Sequence, residues 1–251
     1  MKVIFNADDF GLTQGVNNGI IKAHQQGVVL STTMMMGMDA EQHAVELANQ
    51  NPNLKIGVHL RFTAGKPLTG HPNLTSGGEQ FVRFNELWKK RDFQEEAVYQ
   101  EAVAQVEHFL SLGLPLSHID SHHHAHTHPQ LLPVIRRVAE QYRVPLRGSG
   151  LCHIDCDTTY HFTDEFYDQG VSLDGVMAHL KSLKSQYDVV EVMCHPADVD
   201  QHLLSISGYA LQRELELQVL TSPILKQELA EHGMSITDYS TLISTRKFAS
   251  V

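Results

Sequence analysis

Short apolar runs alternate with longer segments of helical period along the whole chain. The runs VIFNA (3 to 7), VLSTTMMM (29 to 36), LKIGVHL (54 to 60), PLSHID (115 to 120), VPLRG (144 to 148), VVEVMC (189 to 194) and MSITD (234 to 238) predict buried strands. They are short, often β-branched and bounded by turn residues. Between them, GVNNGIIKAHQQG, MDAEQHAVELANQ, FQEEAVYQEAVAQVEHFLSLG, HPQLLPVIRRVAEQY, SLDGVMAHLKSLKSQ and YALQRELELQVLTSPILKQELAEHG repeat apolar residues at helical spacing, several ending in Gly. Pro223 should break the last into two helices, with Thr221 or Ser222 capping the second. Strands alternating with helices predict parallel βαβ units. About seven of them predict an α/β fold of the distorted or incomplete (β/α) barrel type rather than an open sheet. Residues 63 to 84, rich in Gly, Pro and Thr, read as a long βα loop over the site.

A chain of 251 residues with 42% hydrophobic content buries a large core, and residues 1–251 are read as one domain. The 19 basic residues face 29 acidic ones, a net charge of -10 that argues against nucleic acid and against an anionic membrane surface as partners. The N-terminus lacks the apolar core and cleavage site of a signal peptide, and no stretch is long enough to span a bilayer, so a cytoplasmic location is expected. Three cysteines, Cys152, Cys156 and Cys194, fit reduced thiols better than a disulfide framework. A homodimer is a further expectation that no residue pattern carries.

Histidine is the anomaly, with 17 in the chain, and in HIDSHHHAH His118, Asp120, His122, His124 and His126 fall at every second position. On the predicted scaffold Asp8 and Asp9 end the first strand, His59 the third, His122 the fourth, Arg147 the fifth and His195 the sixth. That C-terminal rim is where parallel α/β folds gather ligands and catalytic groups. Taken singly, an Asp-Asp pair is usually a solvated turn or cap and a lone His a hydrogen-bonded core residue. Together, an Asp and two His from three strands make a facial set suited to Zn²⁺, Mg²⁺ or Mn²⁺. One carboxylate of the pair can bind the cation while the other stays off it as a base. Asp120, His118, His124 and Asp198 are candidates to orient the histidines. Phe62, Phe81, Phe84 and Trp88 are candidates to stack on sugar rings or to pack the loop, and Arg61 and Lys66 to meet an anionic group such as a sugar phosphate, although either one singly reads first as solvated surface charge.

NADDFGLTQGVNNGI, IGVHL, HIDSHHHAHTHP and EVMCHPADVD, in this order and spacing, resemble the YdjC-like carbohydrate deacetylases, a family that includes chitooligosaccharide deacetylases. The resemblance covers essentially the whole chain. It implies a distorted barrel related to the polysaccharide deacetylases, one divalent metal ion (Mg or Zn), and removal of N-acetyl groups from small amino sugars. By position it implies Asp9, His59 and His122 as metal ligands, Asp8 as general base and His195 as general acid. The chain departs from the family after Arg147, where Gly-Ser-Gly stands in place of a second basic residue, which bears on substrate anchoring there. Two rivals from other classes are a metal-dependent phosphoesterase and a noncatalytic metal- or sugar-binding protein. The first would want ligands for two or three ions, such as an HxH near the first strand where this chain has NADD. The second would not require Asp8 beside Asp9 or a separate His195.

Overall fold

A computed structural model describes residues 1–148 and 158–243, which leaves Cys152, Cys156 and Ser149-Gly150 outside the described residues. Seven parallel strands form one sheet: β1 (Lys2–Phe10), β2 (Ser31–Met34), β3 (Lys55–Leu60), β4 (Leu116–Ser121), β5 (Tyr160–Thr163), β6 (Val189–Cys194) and β7 (Ser235–Thr237). The order is β4-β3-β2-β1-β6-β5, with β7 beside β1. β1 is central, and all but its first residue is buried. With β6 paired along residues Lys2 to Ala7 on one edge, the other edge is divided: β7 takes Lys2 to Ile4 and β2 takes Asn6 to Phe10.

The connecting helices are α1 (Gln14–Gln26), α2 (Glu41–Gln50), the single turn α3 (Phe84–Leu87), α4 (Glu95–Ser111), α5 (Leu132–Tyr142), α6 (Leu173–Leu183), α7 (Gln201–Ile206), α8 (Leu211–Leu220) and α9 (Pro223–Glu231). Pro223 opens α9 where its missing N–H costs nothing. Ser222 occupies the N-cap position without a side-chain cap bond, and the Thr221 hydroxyl instead donates to the Leu217 carbonyl. No helix among the described residues is long and apolar enough to cross a membrane.

The expected strand at 144 to 148 is reduced to one parallel bridge, Leu146 to Ile119, flanked by two backbone hydrogen bonds. The strand beside β6 is Tyr160–Thr163, which the apolar pattern did not reveal because YHFT is short and mostly half-buried. The sheet curls until its two ends meet: Arg147, beyond β4, reaches Glu191 on β6, and the Gly148 N–H lies 3.4 Å from the Tyr160 hydroxyl. The result is an incomplete barrel whose interior carries a buried polar layer of Asn6, Thr33, His118, Asp120 and Glu191 inside an apolar shell.

Two glycines set close approaches on which this geometry depends. A Cβ on Gly57 would lie 2.5 Å from the His118 carbonyl and 2.8 Å from its ring, so only Gly lets His118 lie across β3. A Cβ on Gly19 of α1 would lie 2.3 Å from Ala197 Cα, so α1 presses directly on the backbone that follows His195. Overpacking of this kind costs about 1–3 kcal/mol. Gly19→Ala should therefore lower the melting temperature by several degrees despite the higher helix propensity of Ala, and should depress activity by displacing the 195 to 198 segment. An unchanged or raised melting temperature would show that α1 does not bear on it.

Candidate active site

Strict strand alternation would send Asp8 and Asp9 to opposite faces of the sheet. The backbone avoids that at Asp9, whose φ of 73° is left-handed, and the β1–β2 register shifts between Ala7 and Phe10. Such an irregularity re-aims side chains at the cost of local strain. Both carboxylates thereby line a cavity of about 870 Å³ at the C-terminal ends of the strands.

Each carboxylate then has its own guanidinium. Arg147 donates to both oxygens of Asp8, at 2.7 and 2.6 Å, and also contacts Asp120 Oδ2 at 2.9 Å and Glu191 Oε1 at 2.7 Å. The Asn6 amide adds a 2.9 Å bond to Asp8. Burial opposes ionisation of Asp8, but Arg147 outweighs it and holds the carboxyl well below the usual carboxylate range. The same three anions push the buried Arg147 well above its ordinary value against desolvation. Glu191 is in turn bound by the Tyr160 hydroxyl.

Asp9 Oδ2 accepts from Arg213 at 2.7 Å, while its Oδ1 faces His59 Nε2 at 3.3 Å and His122 Nδ1 at 3.0 Å. Here too burial raises the carboxyl pKa and Arg213 and His122 bring it well below normal. His59 is anchored from behind: its Nδ1 lies 2.7 Å from Asp120 Oδ1, and the Thr33 hydroxyl donates to Asp120 Oδ2 at 3.0 Å. Cross-strand register places His59 opposite Asp120, so the pairing is written into β3 and β4. Burial disfavours the His59 imidazolium, yet Asp120 and Asp8 override it and push the pKa up to about 10.

Donor atoms of Asp9, His59 and His122 lie within 4.8 Å of one another, a set able to hold a cation. Donor atoms of Asp8, His59 and Asp120 also lie within 4.8 Å of one another, but both oxygens of Asp8 and Oδ2 of Asp120 are already committed to Arg147. Among the described residues of the site, five buried carboxylates, Asp8, Asp9, Asp120, Glu191 and Glu216, outnumber three buried cationic groups, Arg147, Arg213 and His59. A divalent cation on Asp9, His59 and His122 fits both the donor chemistry and the surplus of negative charge.

His195 sits across the cavity floor, its Nε2 3.9 Å from Asp8 Oδ2. Its neighbour is Glu216, not Asp198. Asp198 is half exposed and pairs loosely with Lys22 at 3.5 Å, whereas buried Glu216 binds the His195 backbone N–H and lies 3.8 Å from Nδ1. Proximity in sequence pointed to the wrong carboxylate. Arg213 and Glu216 were both missed, because charges on an amphipathic helix read as its wet face. The available signal was their spacing with Leu217 and Leu220, the buried face of α8.

The remaining candidates separate by depth. His118 lies one layer below the cavity, its Nε2 3.0 Å from Asn6 Oδ1 and its ring stacked 3.6 Å from Tyr239. Burial and Arg147 keep it neutral. At His122–Thr127 the strand alternation stops, and His123 and His124 adopt consecutive left-handed conformations. Both line the cavity, His124 edge-on to Phe162 and His123 against Phe84 with Nδ1 2.9 Å from the Thr63 hydroxyl. Phe84 and Trp88 line the cavity, whereas Phe62 and Phe81 are buried in the loop. Arg61 is fully buried and donates to the Ala64 and Lys66 carbonyls, tying the loop down. Lys66 pairs with Glu79 at the surface.

A family model described as YdjC-like protein matches residues 2–231. A Vibrio campbellii protein named carbohydrate deacetylase is 98% identical over 251 residues, covering 100% of both chains. A Brevibacillus brevis protein of the same name is 40% identical over 250 residues, covering 96% of this chain and 100% of its own. A crystal structure of a protein described as a putative cellobiose-phosphate cleavage protein from Enterococcus faecalis matches with a TM-score of 0.87 at 34% identity, over 97% of this chain and 99% of that one. A peptidoglycan N-acetylglucosamine deacetylase matches at 17% identity with a TM-score of 0.54, over 98% of this chain and 89% of that one, and so shares the fold.

The raised His59 pKa makes metal uptake a proton exchange. A pKa near 10 would leave a proton on the metal-free ring at pH 8, and that proton would have to leave before Nε2 could bind a cation. Calorimetry of Zn²⁺ binding in buffers of different ionisation enthalpy should therefore give about one proton released. Affinity should fall about tenfold per pH unit on acidification. No proton release at pH 8 would show that His59 is neutral without metal.

Proposed function

This chain belongs to the YdjC-like protein family, and we propose that it is a carbohydrate deacetylase. In this reading it releases acetate from N-acetylated amino-sugar oligosaccharides of the chitooligosaccharide kind, with one divalent cation, Mg or Zn, as cofactor. The supporting observation is the division of the adjacent carboxylates: Asp8 is clamped by Arg147 away from the candidate ligand set, while Asp9 faces His59 and His122. A metal-binding protein needs no second, separately clamped carboxylate.

Amide hydrolysis requires an activated water, a stabilised tetrahedral oxyanion and a proton for the departing amine. Asp9, His59 and His122 would hold the cation, which when bound supplies Lewis acidity toward the acetyl carbonyl and acidifies a water. Asp8, kept ionised and oriented by Arg147 and Asn6, takes the proton of the water that attacks the carbonyl carbon. Asp120 fixes the His59 ring so that Nε2 faces the cavity. His195, on the other side of Asp8, gives a proton to the nitrogen as the C–N bond breaks. Phe84 and Trp88 offer ring faces to the sugar at the rim. Arg61 is buried and Lys66 pairs with Glu79 at the surface, so neither residue supports a phosphorylated sugar over a free one.

The test measures acetate release from a panel of chitooligosaccharides, free and 6-phosphorylated, alongside metal content. Wild type should release acetate. Asp8→Asn should retain the metal and lose turnover by about 10²- to 10⁴-fold, whereas His122→Ala should lose both. Phosphate release in place of acetate, or equal metal loss in the two variants, would overturn this reading.

A further inference from the structure

One helical turn of α8 reaches both halves of the site. Arg213 binds Asp9, and its Nε donates to the Tyr209 carbonyl at 2.8 Å. Three residues on, Glu216 is fully buried. Its Oε2 accepts from the His195 backbone N–H, and its Oε1 accepts from the Tyr209 hydroxyl at 2.5 Å. The Ala197 N–H donates to the Arg213 carbonyl at 3.2 Å, so the segment carrying His195 is pinned to α8 at two points.

Against this fixed frame, His195 Nδ1 is buried without a hydrogen-bond partner. A buried polar nitrogen without a partner is costly and calls for an explanation. The nearest acceptor is Glu216 Oε1, 3.8 Å away and already engaged by Tyr209. Closing that gap would give Nδ1–H an acceptor, with Nε2, 3.9 Å from Asp8 Oδ2, on the opposite side of the ring. The ring has few alternative settings, because Tyr167 and Tyr209, stacked on each other at 4.1 Å, meet it edge-on at 5.7 and 5.8 Å.

We propose that Glu216 is a positioning residue for His195: its carboxylate, remaining ionised, accepts a hydrogen bond from Nδ1–H and so orients Nε2 toward the departing nitrogen, and Tyr209 sets the position of that carboxylate. This rests on the deacetylase reading with His195 as acid. Binding one anionic oxygen to the backbone N–H and the other to the side chain of the same residue fixes both the Cα position and the ring angle. A neutral Gln cannot do both, since it has only one acceptor oxygen.

The experiment compares wild type, Glu216→Gln, Glu216→Asp and Tyr209→Phe on an N-acetylated chitooligosaccharide and on an aryl acetate, whose phenolate departs without needing a proton. Metal content and melting temperature are followed in each. Glu216→Gln should lose about 10²-fold in kcat on the amide, with KM within a few-fold and a much smaller loss on the ester at unchanged metal content. Glu216→Asp should recover part of the amide activity. Tyr209→Phe should lose several-fold on the amide alone, and it decides the matter if Glu216→Gln does not fold. Equal losses on both substrates, or amide turnover equal to wild type, would overturn the proposal. Absence of acetate release by wild type would instead bring down the deacetylase reading, and this proposal with it.

Discussion

Two carboxylates adjacent in sequence, both buried at the mouth of one barrel, repel each other strongly in a medium of low dielectric. Everything else at the site follows from how that repulsion is contained. Arg147 closes on Asp8 with two short bonds and Arg213 holds one oxygen of Asp9, so each anion has a separate cation. Removing one partner from such a buried pair costs about 3–5 kcal/mol, because a charge is left without compensation. Arg147 answers for three carboxylates at once, and a Lys could not reproduce its planar, multidentate geometry.

The containment is asymmetric, and the proposed division of roles rests on that asymmetry. Both oxygens of Asp8 are spoken for, which keeps it ionised and still. Asp9 keeps Oδ1 facing two imidazoles. The left-handed backbone at Asp9 and the polar layer beneath it are local departures from good folding practice. Such departures concentrate where structure serves function.

The sequence made the strand ends legible, because short apolar runs stop where chemistry begins: Asp8, His59, Asp120 and Cys194 all lie at or near the C-terminal end of a strand. The fold class, the incomplete barrel, could be read from the alternation of elements and is the one observed. About seven strands were expected and seven are observed, but the segment at 144 to 148 is not one of them, since a single bridge to Ile119 suffices to deliver Arg147. What stayed hidden is long-range. Arg213 and Glu216 lie on a helix whose charged residues look solvated, and only the curl of the sheet turns that face inward. The interchange of Asp198 and Glu216 has the same cause, as does the burial of Arg61, a tie for its loop where a solvated surface charge was expected.

The central claim is that the two carboxylates divide labour, with the cation on Asp9 and not on Asp8. Crystals of the metal-loaded protein, with data collected on both sides of the metal absorption edge, test it directly. The account predicts one anomalous peak bonded to Asp9, His59 and His122, with Arg147 still bidentate on Asp8. A peak held by Asp8, His59 and Asp120, with Arg147 displaced, would contradict it.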